Sequence, residues 1–384
     1  MHDGAGLARR GASLAILFLV SACAAVQPRE VCVVDRAHLD FVGASVNAAL
    51  VHDCDRVELS VRPETLPVNP SPWYAMALES PAGGVVEIEI DYGRHEHRYH
   101  PWIGQDDGSW ARLPDDAVQV AEDSVVISAR LAPGDNRIAA HPVVDFERAE
   151  AWYARWMETE PGLRRQVFGQ SVDARPLEAF TLLAPPHEAS RPLLVILGRS
   201  HPPEVTGAFA MHGFVSAALQ ESGENQTPFD LVILPMLNPD GMARGHWRTN
   251  AGLLDINRDW ASRTQPETQA AWRYLVALGM LERERVVMVD FHSTRRDLVY
   301  RDAYAPEDWR AGVIEEWMAG LAVALGASAP EPRITQSANG ETSKAVFNGI
   351  GALAITWETS DDAMPDVARQ AGGVAYCSLQ AAWR

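Results

Sequence analysis

Two residues set up the chemistry of this chain. His201 and Glu204 stand three positions apart in SHPPEVTG (200–207), directly after the apolar run Leu193–Leu197 that Gly198 stops. An imidazole nitrogen and a carboxylate oxygen form a donor set that suits zinc, and a catalytic zinc commonly takes three protein ligands. His-x-x-Glu arises by chance in many sequences, so a third ligand and a base are required. His292, after Val286–Phe291, is the expected third donor. Glu358, after Leu353–Trp357, is the carboxylate expected to take a proton from water and return it to a leaving amine. Taken singly, His292 reads as a satisfied core histidine and Glu358 as one solvated acid among many. Their shared place at the ends of apolar runs sets them apart. Arg248 and Arg258 lie in the polar segment 238–260 between them. A planar, permanently charged guanidinium suits a developing oxyanion or a free carboxylate, although pairing with surface acids is the plainer role.

The elements that position these residues follow from hydrophobic periodicity. Leu193–Leu197, Leu231–Leu234, Val286–Asp290 and Leu353–Thr356 are short, branched and apolar, which predicts buried strands. Helical spacing recurs near 204–220, 266–282, 306–325 and 365–382, with Pro266-Glu267 suited to a first helical turn. Strands alternating with helices predict an α/β domain over 144–384, a twisted, mixed, mostly parallel sheet with helices on both faces. Strand ends along one edge of such a sheet are where a site is expected. Phe146, Ala149, Trp152, Tyr153 and Trp156 at helical spacing predict an amphipathic helix opening that domain, its aromatics in the core.

Over 67–143 the pattern is alternation punctuated by PAGG, DYGR, QDDGS and APGDN, which predicts a small antiparallel β-sandwich. His95, His97 and His100 lie in it; without a suitably placed carboxylate or cysteine they read as a solvated histidine-rich strand rather than a metal site. Residues 23–66 remain unassigned. Arg9-Arg10, the apolar run Leu14–Val20 and Val-Ser-Ala-Cys ending at Cys23 have the layout of a secretory leader. That layout resembles a bacterial lipobox, so residues 1–22 are expected to be removed and Cys23 to carry lipid, anchoring an exported protein to a membrane of the bacterial envelope or periplasm. A soluble secreted form is the alternative. Cys32 and Cys54 could then pair locally, with Cys377 outside the pair. A net charge of -18 argues against nucleic acid as a partner.

The blocks HPPE, NPDG, HWR, DINRDW, DFHS and ITWE, in this order over about residues 145–384, resemble the zinc carboxypeptidase family of carboxypeptidase A-like metallopeptidases. GRSHPPEVTG and PMLNPDG are most similar to its cytosolic-carboxypeptidase-like branch, whose members carry a β-sandwich ahead of the catalytic domain. The resemblance implies one zinc per chain on His201, Glu204 and His292, with Glu358 as general base toward a zinc-activated water. It further implies Arg248 at the oxyanion, Asn257 and Arg258 on the substrate's terminal carboxylate, and Asp255 orienting His201. The substrate would be a peptide with a free C-terminal carboxylate. The loop ITQSANGETSKAVFNG ahead of the base departs from the family in lacking a tyrosine. It carries Lys344, the chain's one lysine, which would favour an acidic departing residue if it faces the pocket and is otherwise a solvated loop residue. A zinc amidase acting on murein stem peptides or N-acyl amino acids would need the same residues. A catalytically silent peptide-binding lipoprotein would be expected to have lost one of them.

Overall fold

Alternating burial along the strands divides the molecule into three sheets. The computed structural model describes residues 32–383 except 106–107, 122–123, 185–190, 225–226 and 336–339; the expected leader and Cys23 lie outside them. The first ten strands are β1 (Arg36–His38), β2 (Ala48–His52), β3 (Arg56–Ser60), β4 (Ala75–Ser80), β5 (Gly84–Asp91), β6 (Trp102–Gln105), β7 (Trp110–Arg112), β8 (Val118–Val120), β9 (Val125–Leu131) and β10 (Gly134–Ala139). They form two five-stranded sheets, β1-β4-β10-β6-β7 and β2-β3-β5-β9-β8. All their pairings are antiparallel except β3 with β5, which is parallel.

The sandwich therefore begins well before residue 67. β1, β2 and β3 are too short and too exposed to show clear alternation in sequence, and pairing with β4 and β5 is what makes them strands. A disulfide between Cys32 and Cys54 ties the approach to β1 to the β2–β3 turn.

The second part comprises α1 (Phe146–Thr159), β11 (Arg164–Gln170), β12 (Pro176–Leu182), β13 (Leu193–Gly198), α2 (Val205–Glu224), β14 (Asp230–Leu234), α3 (Pro239–Arg244) and α4 (Pro266–Ala277). It continues through β15 (Val286–Thr294), β16 (Leu298–Arg301), α5 (Trp309–Leu325), β17 (Glu331–Ile334), α6 (Ser343–Gly349), β18 (Leu353–Ser360) and α7 (Pro365–Ala382). The eight-stranded sheet runs β11-β12-β14-β13-β15-β18-β16-β17, with β14, β13, β15 and β18 parallel at its centre. Alternate residues of the central strands enter different cores. Leu194, Ile196, Val287, Val289 and Ile355 belong to one core with residues of α2, α7 and the sandwich interior, while Val195, Leu197, Met288 and Ala354 belong to another with residues of α4 and α6. Trp152, Tyr153 and Trp156 of α1 belong to the first core, as their spacing predicts, whereas Phe146 at the start of the helix is exposed. Among the described residues no helix is long and apolar enough to cross a membrane.

Two boundaries differ from the sequence reading in ways that matter to the site. β15 and β18 run on past their apolar stretches, so His292 and Glu358 sit inside the ladder, directly opposite one another. Polar residues there remain in strand because their neighbours supply the backbone partners. The second half of the segment expected to be a loop is helix α6, capped by the Thr342 side chain accepting from the Ala345 N–H. Lys344 is thus a helical residue.

Candidate active site

The cleft is built where the chain leaves β13. Arg199 takes a left-handed φ of 55° and turns the backbone away from the strand, which delivers Ser200 and His201 to the sheet edge. Glu204 follows on the turn before α2. Gly207, in the first turn of α2, has no room for a side chain: a Cβ would lie 2.4 Å from the His292 carbonyl oxygen. Ser293 Oγ accepts both the Gly207 N–H and the Thr206 hydroxyl at 2.8 Å, which fastens this turn to β15. Asn238 of NPDG caps α3 and donates to the carbonyls of Ser200 and Thr249, so one amide braces the turn before His201 against the segment bearing Arg248.

His201, Glu204 and His292 converge. His201 Nδ1 lies 2.9 Å from Glu204 Oε1, His292 Nδ1 lies 2.6 Å from Glu204 Oε2, and the two Nδ1 atoms are 3.1 Å apart. Each ring's other nitrogen faces a carboxylate: His201 Nε2 faces Asp255 Oδ1 at 2.9 Å, and His292 Nε2 faces Asp290 Oδ2 at 3.0 Å. Carboxylates that take the Nε2 protons leave two Nδ1 lone pairs and an anionic carboxylate aimed at one point, a donor set that fits zinc. Burial alone would raise the Glu204 carboxyl, but His201 and His292 hold it well below the usual carboxylate range. These three are the one group among the described residues placed to hold a metal ion.

Asp255 serves two partners, since its Oδ2 accepts from Arg248 Nε at 2.7 Å. Burial opposes its charge, yet His201 and Arg248 keep its carboxyl far below the ordinary value. The Arg248 Nη1 reaches within 3.8 Å of Glu204. Glu358 stands on β18 opposite His292, and its Oε2 is enclosed without a hydrogen-bond partner. Burial pushes this carboxyl up to about 8. A cation held by the neighbouring triad would draw that value down.

The cleft has a volume of about 700 Å³. Six cations, Arg98, Arg248, Arg258, Arg295, Arg296 and Lys344, line it against three carboxylates, Glu204, Glu341 and Glu358, in a chain of net charge -18. Arg258 donates to the Asn257 carbonyl and meets no carboxylate within ion-pair distance among the described residues. Asn257 accepts the Ser343 N–H at 3.0 Å and places its amide nitrogen 3.2 Å from His292 Nε2. With its proton committed to Asp290, His292 Nε2 cannot accept from this amide, so the N–H groups of Asn257 are available to the cleft.

Lys344 lines the cleft but is not a bare charge: its ammonium is already bound by Asp302 and the Thr335 carbonyl. The acidic preference expected of it thus meets a compensated charge, because Asp302 sits 42 residues away in sequence and nothing local announces the pair. His95, His97 and His100 form no metal-holding group among the described residues, and they lie half-buried between β5 and β6 rather than on a solvated strand. His95 packs edge-on against Trp247, His97 Nδ1 meets the Tyr92 hydroxyl, and His100 meets the Leu113 carbonyl.

Sequence reasoning missed three contributors. Asp290, two residues before His292, was readable only as part of a buried strand, yet a buried acid at that spacing is the available signal. Arg98 of the sandwich lines the cleft and pairs with Asp361, three residues after Glu358, through Nε to Oδ2 at 2.8 Å. Glu64, also of the sandwich, accepts the backbone N–H groups of Trp247, Arg248 and Thr249 at 2.8, 3.0 and 2.7 Å. No sequence pattern marks the last two. Burial pushes the Glu64 carboxyl up, but these donors outweigh it and hold the group below its ordinary value. With a folded value below the unfolded one, its contribution is complete above about pH 4.3 and lost as pH falls through the folded value. Urea unfolding should therefore show the wild type more stable than Glu64→Gln at pH 7, with the gap narrowing at pH 3.5. A gap that widens on acidification would contradict this placement.

A family model described as zinc carboxypeptidase matches residues 149–345, just over half of the chain. Cytosolic carboxypeptidase 2 of Xenopus tropicalis is 33% identical over 113 residues, which is 28% of this chain and 12% of the frog protein. Human cytosolic carboxypeptidase 4 is 32% identical over 144 residues, 34% of this chain and 13% of the human one. This chain thus aligns with only about an eighth of each of those proteins. Among solved structures, a metallo-carboxypeptidase from Burkholderia cenocepacia superposes with a TM-score of 0.76 at 17% identity, covering 91% of this chain and 98% of that one. A metallo-carboxypeptidase from Pseudomonas aeruginosa, solved in complex with (2-guanidinoethylmercapto)succinic acid, superposes with a TM-score of 0.72 at 21% identity, covering 90% and 98%. At these identities the superpositions speak for the fold.

Proposed function

This chain belongs to the zinc carboxypeptidase family, and from that premise we propose that it removes single residues from the C-terminus of peptides. The observation that carries the proposal is one cleft holding three things at once. These are, among the described residues, a His-Glu-His donor set, an enclosed carboxylate with one oxygen lacking a hydrogen-bond partner, and an arginine with no carboxylate within ion-pair distance.

His201, Glu204 and His292 would hold zinc, which when bound would supply Lewis acidity for the scissile carbonyl and for water. Arg258, with an N–H of Asn257, holds the substrate's terminal carboxylate and so fixes which peptide bond reaches the triad. Arg248 sits beside Glu204 with its Nε bound to Asp255, leaving its Nη atoms to meet negative charge as it develops on the carbonyl oxygen. Glu358 takes a proton from the attacking water and delivers it to the leaving amine, returning to the carboxylate. Asp255 and Asp290 keep both histidines presenting Nδ1 to the metal position. Arg98, Arg248, Arg295, Arg296 and Lys344 already pair with Asp361, Asp255, Glu96, Glu331 and Asp302, so the cleft favours acidic peptides only as far as a substrate competes with those acids.

The same proposal includes export and lipid attachment at Cys23, resting on residues 9–23. One experiment addresses both parts. The full chain is expressed in bacteria fed labelled fatty acid, recovered from the membrane fraction, and incubated with zinc and a mixed peptide library. Release of single C-terminal residues, together with label on the wild type and none on Cys23→Ser, is the expected result. Release from murein stem peptides or acyl-amino acids alone would replace the peptidase reading with an amidase. Zinc binding without any release would leave a binding protein. Label absent from the wild type would sink the anchor.

A further inference from the structure

We propose that Glu64 is a positioning residue for Arg248, so that the sandwich completes the catalytic cleft rather than merely flanking it. Glu64 lies in the segment between β3 and β4 and reaches residues 183 to 185 positions further along the chain. Its Oε2 accepts the Trp247 N–H; its Oε1 accepts the N–H groups of Arg248 and Thr249 and the Thr249 hydroxyl, the last at 2.8 Å. Three consecutive amides wrapped around one carboxylate form an anion-binding nest.

Residues 246–250 belong to no helix or strand, so these donors have no ladder to satisfy them. Trp247, Arg248 and Thr249 are all buried, and amides left there without an acceptor would be costly. The conformation that points the Arg248 side chain into the cleft is therefore held by an acceptor from the sandwich. A second sandwich contact supports it: the His95 ring meets the Trp247 ring at 5.1 Å. On the cleft side the path continues through Arg248 Nε to Asp255 Oδ2, and from Asp255 Oδ1 to His201. Glu64 itself does not line the cleft, so any effect on turnover must pass through what it holds.

The inference rests on the reading of Arg248 as the oxyanion group, and the test separates the two. Purified wild-type, Arg248→Ala, Glu64→Ala, Glu64→Gln and the Arg248→Ala/Glu64→Gln double variant are assayed on one peptide. In parallel, hydrogen exchange is followed in peptides covering 246–250 and 290–294. Arg248→Ala should lower kcat by about 10²- to 10³-fold. Glu64→Gln keeps one acceptor oxygen and should lower kcat roughly tenfold with KM nearly unchanged; Glu64→Ala should lower it further. The double variant should be no slower than Arg248→Ala alone, because Glu64 acts through that side chain. Exchange should accelerate in 246–250 and stay unchanged in 290–294.

Multiplicative losses in the double variant, or an unaltered exchange rate at 246–250, would overturn the positioning role. A wild type that releases nothing, or an Arg248→Ala protein with unchanged kcat, would instead refute the functional reading. The exchange measurement with Glu64→Gln would then still decide whether Glu64 holds the segment.

Discussion

Glu358→Gln protein should fold, bind zinc and release C-terminal residues about 10³- to 10⁴-fold more slowly than the wild type. The amide matches the carboxylate in size and shape but cannot accept a proton from water, so the loss should appear in kcat with KM little changed. Stability should not suffer. Glu358 Oε2 is enclosed without a hydrogen-bond partner, so the wild-type side chain gives up hydration there for no internal bond. An uncharged isostere costs less to enclose, and the melting temperature of the variant should equal or exceed that of the parent. A variant that is destabilised and inactive would be uninformative about the base by itself, so zinc content and melting temperature are measured on the same samples. Full turnover by a folded, zinc-loaded Glu358→Gln protein would remove Glu358 from the mechanism.

The second large effect separates losing the metal from losing a ligand. Chelation should abolish release, lower the melting temperature, and be reversed by added zinc. A site saturated a thousandfold above its dissociation constant adds about 4 kcal/mol to folding. His292→Ala should be worse than chelation. Asp290 is fully buried, its Oδ1 has no partner, and its Oδ2 is shared by His292 Nε2 and the Ser343 hydroxyl. Deleting the imidazole leaves a buried carboxylate without its main partner, a change that costs about 3–5 kcal/mol in comparable buried pairs. Calorimetry of chelated wild type against His292→Ala should show the variant melting lower, with no recovery on adding zinc. Equal melting temperatures would mean that Asp290 does not depend on His292.

What the amino-acid sequence determined by itself is the framework and the donors. The central strands announce themselves because a strand buried on both faces must be apolar at every position, as Leu193–Leu197 and Val286–Val289 are. His201, Glu204, His292 and Glu358 were legible because each is a polar residue closely following such a run. Their types are also ones that bind metal or move protons. Both signals are local, carried by residues within a few positions of one another.

Tertiary structure alone decided the rest. That His292 and Glu358 are opposite partners follows from the register of β15 with β18, which depends on how whole strands pack and not on either motif. Lys344 looked like a free charge until α6 brought it to Asp302. Asn257 gives its amide oxygen to the Ser343 N–H, a partner 86 residues away that leaves only its N–H groups to face the cleft. Glu64 sits in the stretch that the sequence leaves unassigned and Arg98 in the histidine-rich stretch of the sandwich, yet each finds its partner far along the chain. A hydrogen bond or ion pair across such a separation leaves no periodicity in the sequence. Its existence depends on chain reversals and sheet packing that bring two surfaces together, and these are set by the summed burial of the core rather than by the two residues that meet.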